Sequence, residues 1–119
     1  MGSKSLFCRR SYEKTARKIV QEFIEKVDKT TIKSILLYGS TARGECNEES
    51  DIDILIIVEK HNKPVENKIY EVNDEVVYKH NKSISILIMN KKEIEKEKET
   101  QFLREVKKDM EILYGKKPF

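Results

Sequence analysis

Cysteine is scarce and forms no pattern. Cys8 and Cys46 are the only two in the chain, and no neighbouring Cys or His completes metal-ligand spacing around either. A zinc site is excluded on that ground, and free thiols in a reducing compartment are expected. Histidine is equally sparse: His61 and His80 both sit in polar stretches without a partner motif, which reads as solvated loop or helix-end positions rather than catalysis. No apolar run approaches the roughly 20 residues that a membrane span needs, and the start lacks the apolar centre of a secretory signal. Met1-Gly2 does not open a myristoylation signal, because Leu6 stands where Ser or Thr is required. A soluble, cytoplasmic protein with no membrane partner is expected. Charge of one sign is also lacking. With 24 basic and 21 acidic residues the net charge is +3, and the two signs are interspersed along the chain. Such a balance does not imply nucleic-acid binding, and a nucleic-acid partner is not expected. A nucleic-acid-binding regulator would need the basic residues gathered on one face.

What remains is a chain of 119 residues without internal repeats or low-complexity linkers. That length suits one domain, residues 1–119, with enough chain for a core and no room for a second substrate domain. Charged residues make up 38% of it, and the abundance of Lys, Glu and Ile is the balance found in heat-adapted proteins. Ala16, Ile19, Val20, Phe23, Ile24 and Val27 recur at helical spacing and predict an N-terminal helix over about 11–28. The core proper spans about 30–115. Ile32 to Tyr38 predicts a first strand, and Ile52 to Val58 a buried second one. Pro64 is placed to open a helix whose stripe is Val65, Ile69, Val72 and Val76, ending near Lys79. A third strand follows over Ser83–Met89. Asn90 with Glu93 three residues on has the form of a capping box. The charged segment to Glu99 reads as a solvated helix, a further helix is expected from about Thr100 to Lys108, and Ile112-Leu113-Tyr114 predicts a fourth, edge strand.

The chemistry-bearing residues lie where the first two strands meet. Gly39-Ser40 follows the first strand directly, and Asp51-Ile52-Asp53 opens the second after ten intervening residues. Side chains two apart in a strand share a face, so Asp51 and Asp53 project together from one edge. Two adjacent carboxylates repel, and one is pushed towards its protonated form unless a cation joins them. Mg²⁺ suits such a site, since it takes one or two carboxylates plus substrate phosphates. Gly39, lacking a Cβ, lets backbone N–H groups approach a phosphate. Ser40 adds a hydroxyl at the start of a short helix, and Arg43 a fork of donors one turn later. Ser50 could contact a further phosphate or cap the loop. Taken singly, these pieces also have plain readings, as a solvated turn at Asp51-Asp53 and an exposed loop pair at Arg43 and Glu45.

Gly39-Ser40-Thr41-Ala42-Arg43-Gly44-Glu45 together with Ser50-Asp51-Ile52-Asp53 resembles the signature of the DNA polymerase beta-type nucleotidyltransferases, and most of all their minimal, stand-alone members. The resemblance continues through Ile69-Tyr70-Glu71, Val76-Val77-Tyr78, Phe102 to Val106 and Ile112 to Gly115. Each motif is weak alone; the spacing and the flanking strands make the combination specific. The resemblance implies an α/β (α+β) two-layer domain, a small mixed sheet backed by helices on one face. It implies transfer of a nucleoside monophosphate from a nucleoside triphosphate, ATP first among them, to a hydroxyl acceptor. Asp51 and Asp53 would be the catalytic and Mg²⁺-binding residues, with a two-metal site possible; Gly39, Ser40, Arg43 and Ser50 would bind the nucleotide. So short a chain has little surface for both base and acceptor, so a HEPN-type protein partner or a homo-oligomer is expected to supply one wall. In toxin–antitoxin form, the chain would be an antitoxin that places AMP on its partner.

The departure from the pattern is on the third strand. Competent relatives carry a third carboxylate there, and the corresponding position is Ser85. Serine supplies neither the charge for a second metal nor a general base. Glu71, Asp74 and Glu75 could replace it only if the fold carries them to the sheet edge. The alternative to an enzyme is a weakened nucleotide- or metal-binding module that acts by partner binding.

Overall fold

The two most continuous apolar segments become the two central strands, because only a strand covered on both faces can bury every side chain. The structure, a computed structural model, describes the backbone of residues 2–44 and 51–119 and the side chains of residues 12–44 and 51–119. β1 (Ile32–Tyr38) and β2 (Ile52–Val58) pair antiparallel, with Tyr38 opposite Asp53. β3 (Ile84–Asn90) lies parallel to β2, and β4 (Glu111–Gly115) lies antiparallel to β1 at the other edge, so the order is β3-β2-β1-β4. This register gathers the end of β1 and the beginnings of β2, β3 and β4 at one end of the sheet.

Helices cover both faces. α1 (Gly2–Lys26) packs with the later α3 (Lys63–His80) on the face carrying Ile35, Leu37, Ile54 and Ile56, where Phe23, Ile69 and Val76 are buried. Between them in sequence, α2 (Gly39–Ala42) is a single turn after β1. On the other face α4 (Lys91–Glu97) and α5 (Gln101–Asp109) bury Ile94, Leu103 and Val106 against Leu36, Leu55 and Ile57. The expected sheet backed by helices is present, and these two short helices add a smaller layer over its second face. α1 starts at Gly2, earlier than the expected position near Ser11, since no proline or glycine interrupts the chain between them.

Local signals set the boundaries. The Asn62 side chain accepts from Val65 N at the head of α3, just before Pro64. Asn90 and Glu93 form the reciprocal capping box, with Glu93 N to Asn90 Oδ1 at 2.9 Å and Asn90 N to Glu93 Oε1 at 3.0 Å. Thr100 caps α5 through Leu103 N. Arg17 ties α1 to β4 by a two-pronged contact with Glu111, Nη1 to Oε2 at 2.5 Å and Nη2 to Oε1 at 2.8 Å.

Where β4 ends, Gly115 has φ +80°, and a Cβ there would lie 1.9 Å from the Lys33 carbonyl oxygen. Neither backbone can retreat without breaking the β1–β4 pairing. Gly115→Ala is therefore expected to lower the unfolding free energy by about 2 kcal/mol or more, the backbone clash adding to the roughly 1–2 kcal/mol of the left-handed conformation. A urea transition would show it as a lower midpoint; an unchanged midpoint would mean that this strand end yields without cost.

Candidate active site

The sheet end that gathers four strand termini holds most of the residues singled out from sequence. Tyr38, the last residue of β1, precedes Gly39, which has φ +75°. A Cβ on Gly39 would stand 2.5 Å from Asp53 Oδ2 and 3.3 Å from its Cγ. The absent side chain is thus the space that the Asp53 carboxylate occupies. Asp51 is exposed immediately before β2, and Asp53 is half-buried on its first turn of pleat, on the same sheet face as Tyr38 and Leu55. Ser40 is half-buried in α2, and Arg43 closes that turn.

Arg43 reaches across to α5, where Nη1 lies 3.0 Å from Asp109 Oδ2. A hollow of about 130 Å³ lies here, walled by Tyr38, Gly39, Arg43, Phe102, Glu105 and Asp109 among others. Tyr38 and Phe102 meet edge to face at 5.6 Å between ring centres. The sequence placed Tyr38 at a strand end and Phe102 within the family resemblance but gave neither a part in the site, and it did not point to Asp109. Only the aromatic and helical spacing of Phe102 hinted at a packed position, and nothing joined Asp109 to a residue 66 places earlier.

The electrostatics agree with a charged edge that lacks a full set of counter-charges. The Asp53 carboxyl is pushed above the usual carboxylate range, first by burial and then by repulsion from Asp51, with Arg43 opposing. Tyr38 is pushed up to about 12 by burial and by the nearby Asp53 charge, so its hydroxyl stays protonated at neutral pH. Two hard carboxylate groups that repel one another, with neither thiol nor imidazole beside them among the described residues, are a donor set that fits Mg²⁺. Asp51 and Asp53 would hold it.

Other sequence expectations fall outside this cluster. Ser85 sits directly beside Asp53 across the parallel β2–β3 pairing and is exposed, so the neighbouring strand brings a hydroxyl where a carboxylate would complete the site. Glu71, Asp74 and Glu75 are on α3, which covers the opposite face of the sheet, and Glu75 is engaged by Lys26 at 3.1 Å. Among the described residues no third acidic, His or Cys side chain joins Asp51 and Asp53. Ser50 and Glu45 lie outside the described residues. The Thr41 hydroxyl is buried in α2 without a hydrogen-bond partner among the described residues, a feature invisible in sequence.

Comparison with known proteins gives one consistent relationship. The model of the nucleotidyltransferase domain family matches residues 16–113. Two Methanocaldococcus jannaschii proteins, named as candidate protein adenylyltransferases, are similar to stretches of the chain. One is 57% identical over 37 residues, 31% of this chain and 37% of its own length; the other is 49% identical over 43 residues, 34% and 43% respectively. The chain thus matches less than half the length of these relatives. Among solved structures, a mutant of the toxin–antitoxin MntA-HpeT superposes with a TM-score of 0.56 at 17% identity, over 85% of this chain and 72% of that one. A toxin–antitoxin crystallised with AMP-PNP gives 0.55 at 18% identity, over 86% and 74%. At such identities the likeness is one of fold.

Proposed function

This chain belongs to the nucleotidyltransferase domain family, and we propose that it transfers a nucleoside monophosphate, AMP foremost, from a nucleoside triphosphate to a hydroxyl group of a protein partner. The observation that carries this reading is the contact between the two halves of the site, with Asp53 occupying the space that Gly39 leaves open. The names of the relatives as candidate protein adenylyltransferases, and the AMP-PNP in a structure of the same fold, support the choice of adenosine.

Each residue has a part. Asp51 and Asp53 would hold Mg²⁺, which when bound would supply positive charge against the oxygens that become more negative in phosphoryl transfer. Gly39 keeps the backbone close to the triphosphate, Ser40 donates its hydroxyl, and Ser50 is proposed for a further phosphate oxygen. Arg43 turns its guanidinium to the triphosphate tail, sharing or leaving Asp109. The acceptor oxygen forms its bond to the α-phosphorus as the bond to the bridging oxygen breaks; pyrophosphate departs with that electron pair, and the acceptor proton passes to solvent. The hollow of about 130 Å³ is smaller than the ~300 Å³ of ordinary ligand pockets. A second protein is proposed to supply part of the wall, a HEPN-type partner as the family resemblance implies; the toxin–antitoxin named for the fold neighbours supports a pair.

The test is co-expression with the adjacent-gene partner, then incubation with Mg²⁺ and ATP labelled at the α-phosphate. A labelled partner carrying an adenylyl mass increment is expected, with Arg43→Ala lowering the initial rate about 10-fold through loss of a charged hydrogen bond. Ser85 beside Asp53 favours a second reading, a nucleotide-binding module without turnover. Calorimetric binding of Mg²⁺ and ATP with no adduct on the partner would select it. No binding and no adduct would dismiss both.

A further inference from the structure

The end of the sheet opposite Asp53 carries two hollows lined by described residues, about 530 and 1000 Å³, which share Lys33, Lys91 and Glu95 in their walls. Lys60, Lys92 and Lys96 complete the basic lining of the larger, and Lys116 and Lys117 that of the smaller. All seven lysines are exposed. None forms an ion pair among the described residues, whereas Lys26, Lys68, Lys79 and Lys98 do. The carboxylates nearby do not balance them. Glu59, Glu93 and Glu95 are the three carboxylates in these walls against seven lysines, and Glu95 is also held by Lys98 at 3.2 Å. A hollow of 1000 Å³ is about 10 Å across, comparable to the Debye length near 0.1 M salt, so these charges act together on one ligand. Tyr114 borders the smaller hollow but is half-buried and packs against the core beneath α1 and α3, so the lysines are the groups this surface offers a ligand.

We propose that this end of the domain binds the phosphodiester backbone of a single-stranded nucleic acid, at a site separate from the carboxylate edge. Lysines are compact charges without the fork that selects a carboxylate, and they follow a chain of phosphates without reading its sequence. A positively charged groove that tracks the backbone is the form in which single strands are held without sequence preference. The interspersed charges of the sequence conceal this surface, because its lysines come from four separate segments.

Anisotropy of a fluorescein-labelled, mixed-sequence single-stranded RNA tests it. With about four phosphates contacted, affinity should fall roughly 50-fold between 50 and 200 mM salt. Lys33→Gln, Lys92→Gln and Lys96→Gln together should weaken binding more than about 10-fold, with an unchanged melting temperature and unchanged ATP binding. Lys14→Gln with Lys18→Gln, on exposed positions of α1, should leave it unaltered. Absence of binding at the lowest salt, or equal binding by the triple variant, overturns the proposal. So does polyglutamate competing as well as RNA, which would make the surface a dock for an acidic protein.

Discussion

Asp53→Asn is expected to lower nucleotidyl transfer by about 10³-fold or more, while the protein melts no earlier than the native chain at neutral pH. The two halves of this expectation have one cause. Burial and the Asp51 charge raise the carboxyl of Asp53 above the usual carboxylate range. The folded state therefore keeps this proton to higher pH than the unfolded chain does, and stability falls as pH rises through the ordinary carboxylate range into the raised one. Asparagine has no charge to suppress. Its advantage in melting temperature should appear at neutral pH and vanish in acid below the ordinary carboxylate range. Mg²⁺ should raise the melting temperature of the native chain by binding only the folded state, and should leave the variant unmoved. A variant that melts much earlier than the native chain would show that Asp53 holds the fold together, and its loss of activity would then say nothing about chemistry.

Much of this arrangement was legible before the structure, for local reasons. The apolar run ending at Tyr38 became β1 with its expected limits, and Asn90 with Glu93 formed the cap that their spacing implied. Such signals act within one turn or one strand. The proximity of Gly39 to Asp53 was also implied, because a short connection joins two strands that then pair antiparallel. What could not be read were contacts made by register and layer order. α5 lies over the second sheet face, and only that placement brings Asp109 to Arg43 and Phe102 to Tyr38. The same holds for the lysine-lined end. Strand direction alternates so that Lys33, at the start of β1, meets Lys60, beyond the end of β2, and Lys116, beyond the end of β4. Ser85 was found where the pattern wanted a carboxylate, and the parallel pairing of β2 with β3 sets it against Asp53.

Gly39→Ala separates the geometry of the site from its charge. The substitution keeps both carboxylates and Arg43, yet its Cβ would stand 2.5 Å from Asp53 Oδ2, at a φ of +75°. Something must move. The backbone is held on one side by the Tyr38–Asp53 pairing and on the other by the Arg43 N to Gly39 O hydrogen bond of 3.1 Å, so the flexible partner is the Asp53 side chain. Its carboxylate swings off the edge it shares with Asp51, and a displacement of about 1 Å in a group that orients reacting atoms can cost 10²-fold in rate. The left-handed backbone adds a stability loss of roughly 1–2 kcal/mol. Transfer should therefore fall about 100-fold, Mg²⁺ should no longer raise the melting temperature, and the far-ultraviolet dichroism should stay native. Gly115→Ala is the matched control, since it carries comparable backbone strain at the other end of β1 and should spare Mg²⁺ binding per folded molecule. Equal losses of Mg²⁺ binding in the two variants would trace the effect to general destabilisation. A loss confined to Gly39→Ala would trace it to the space in which Asp53 sits.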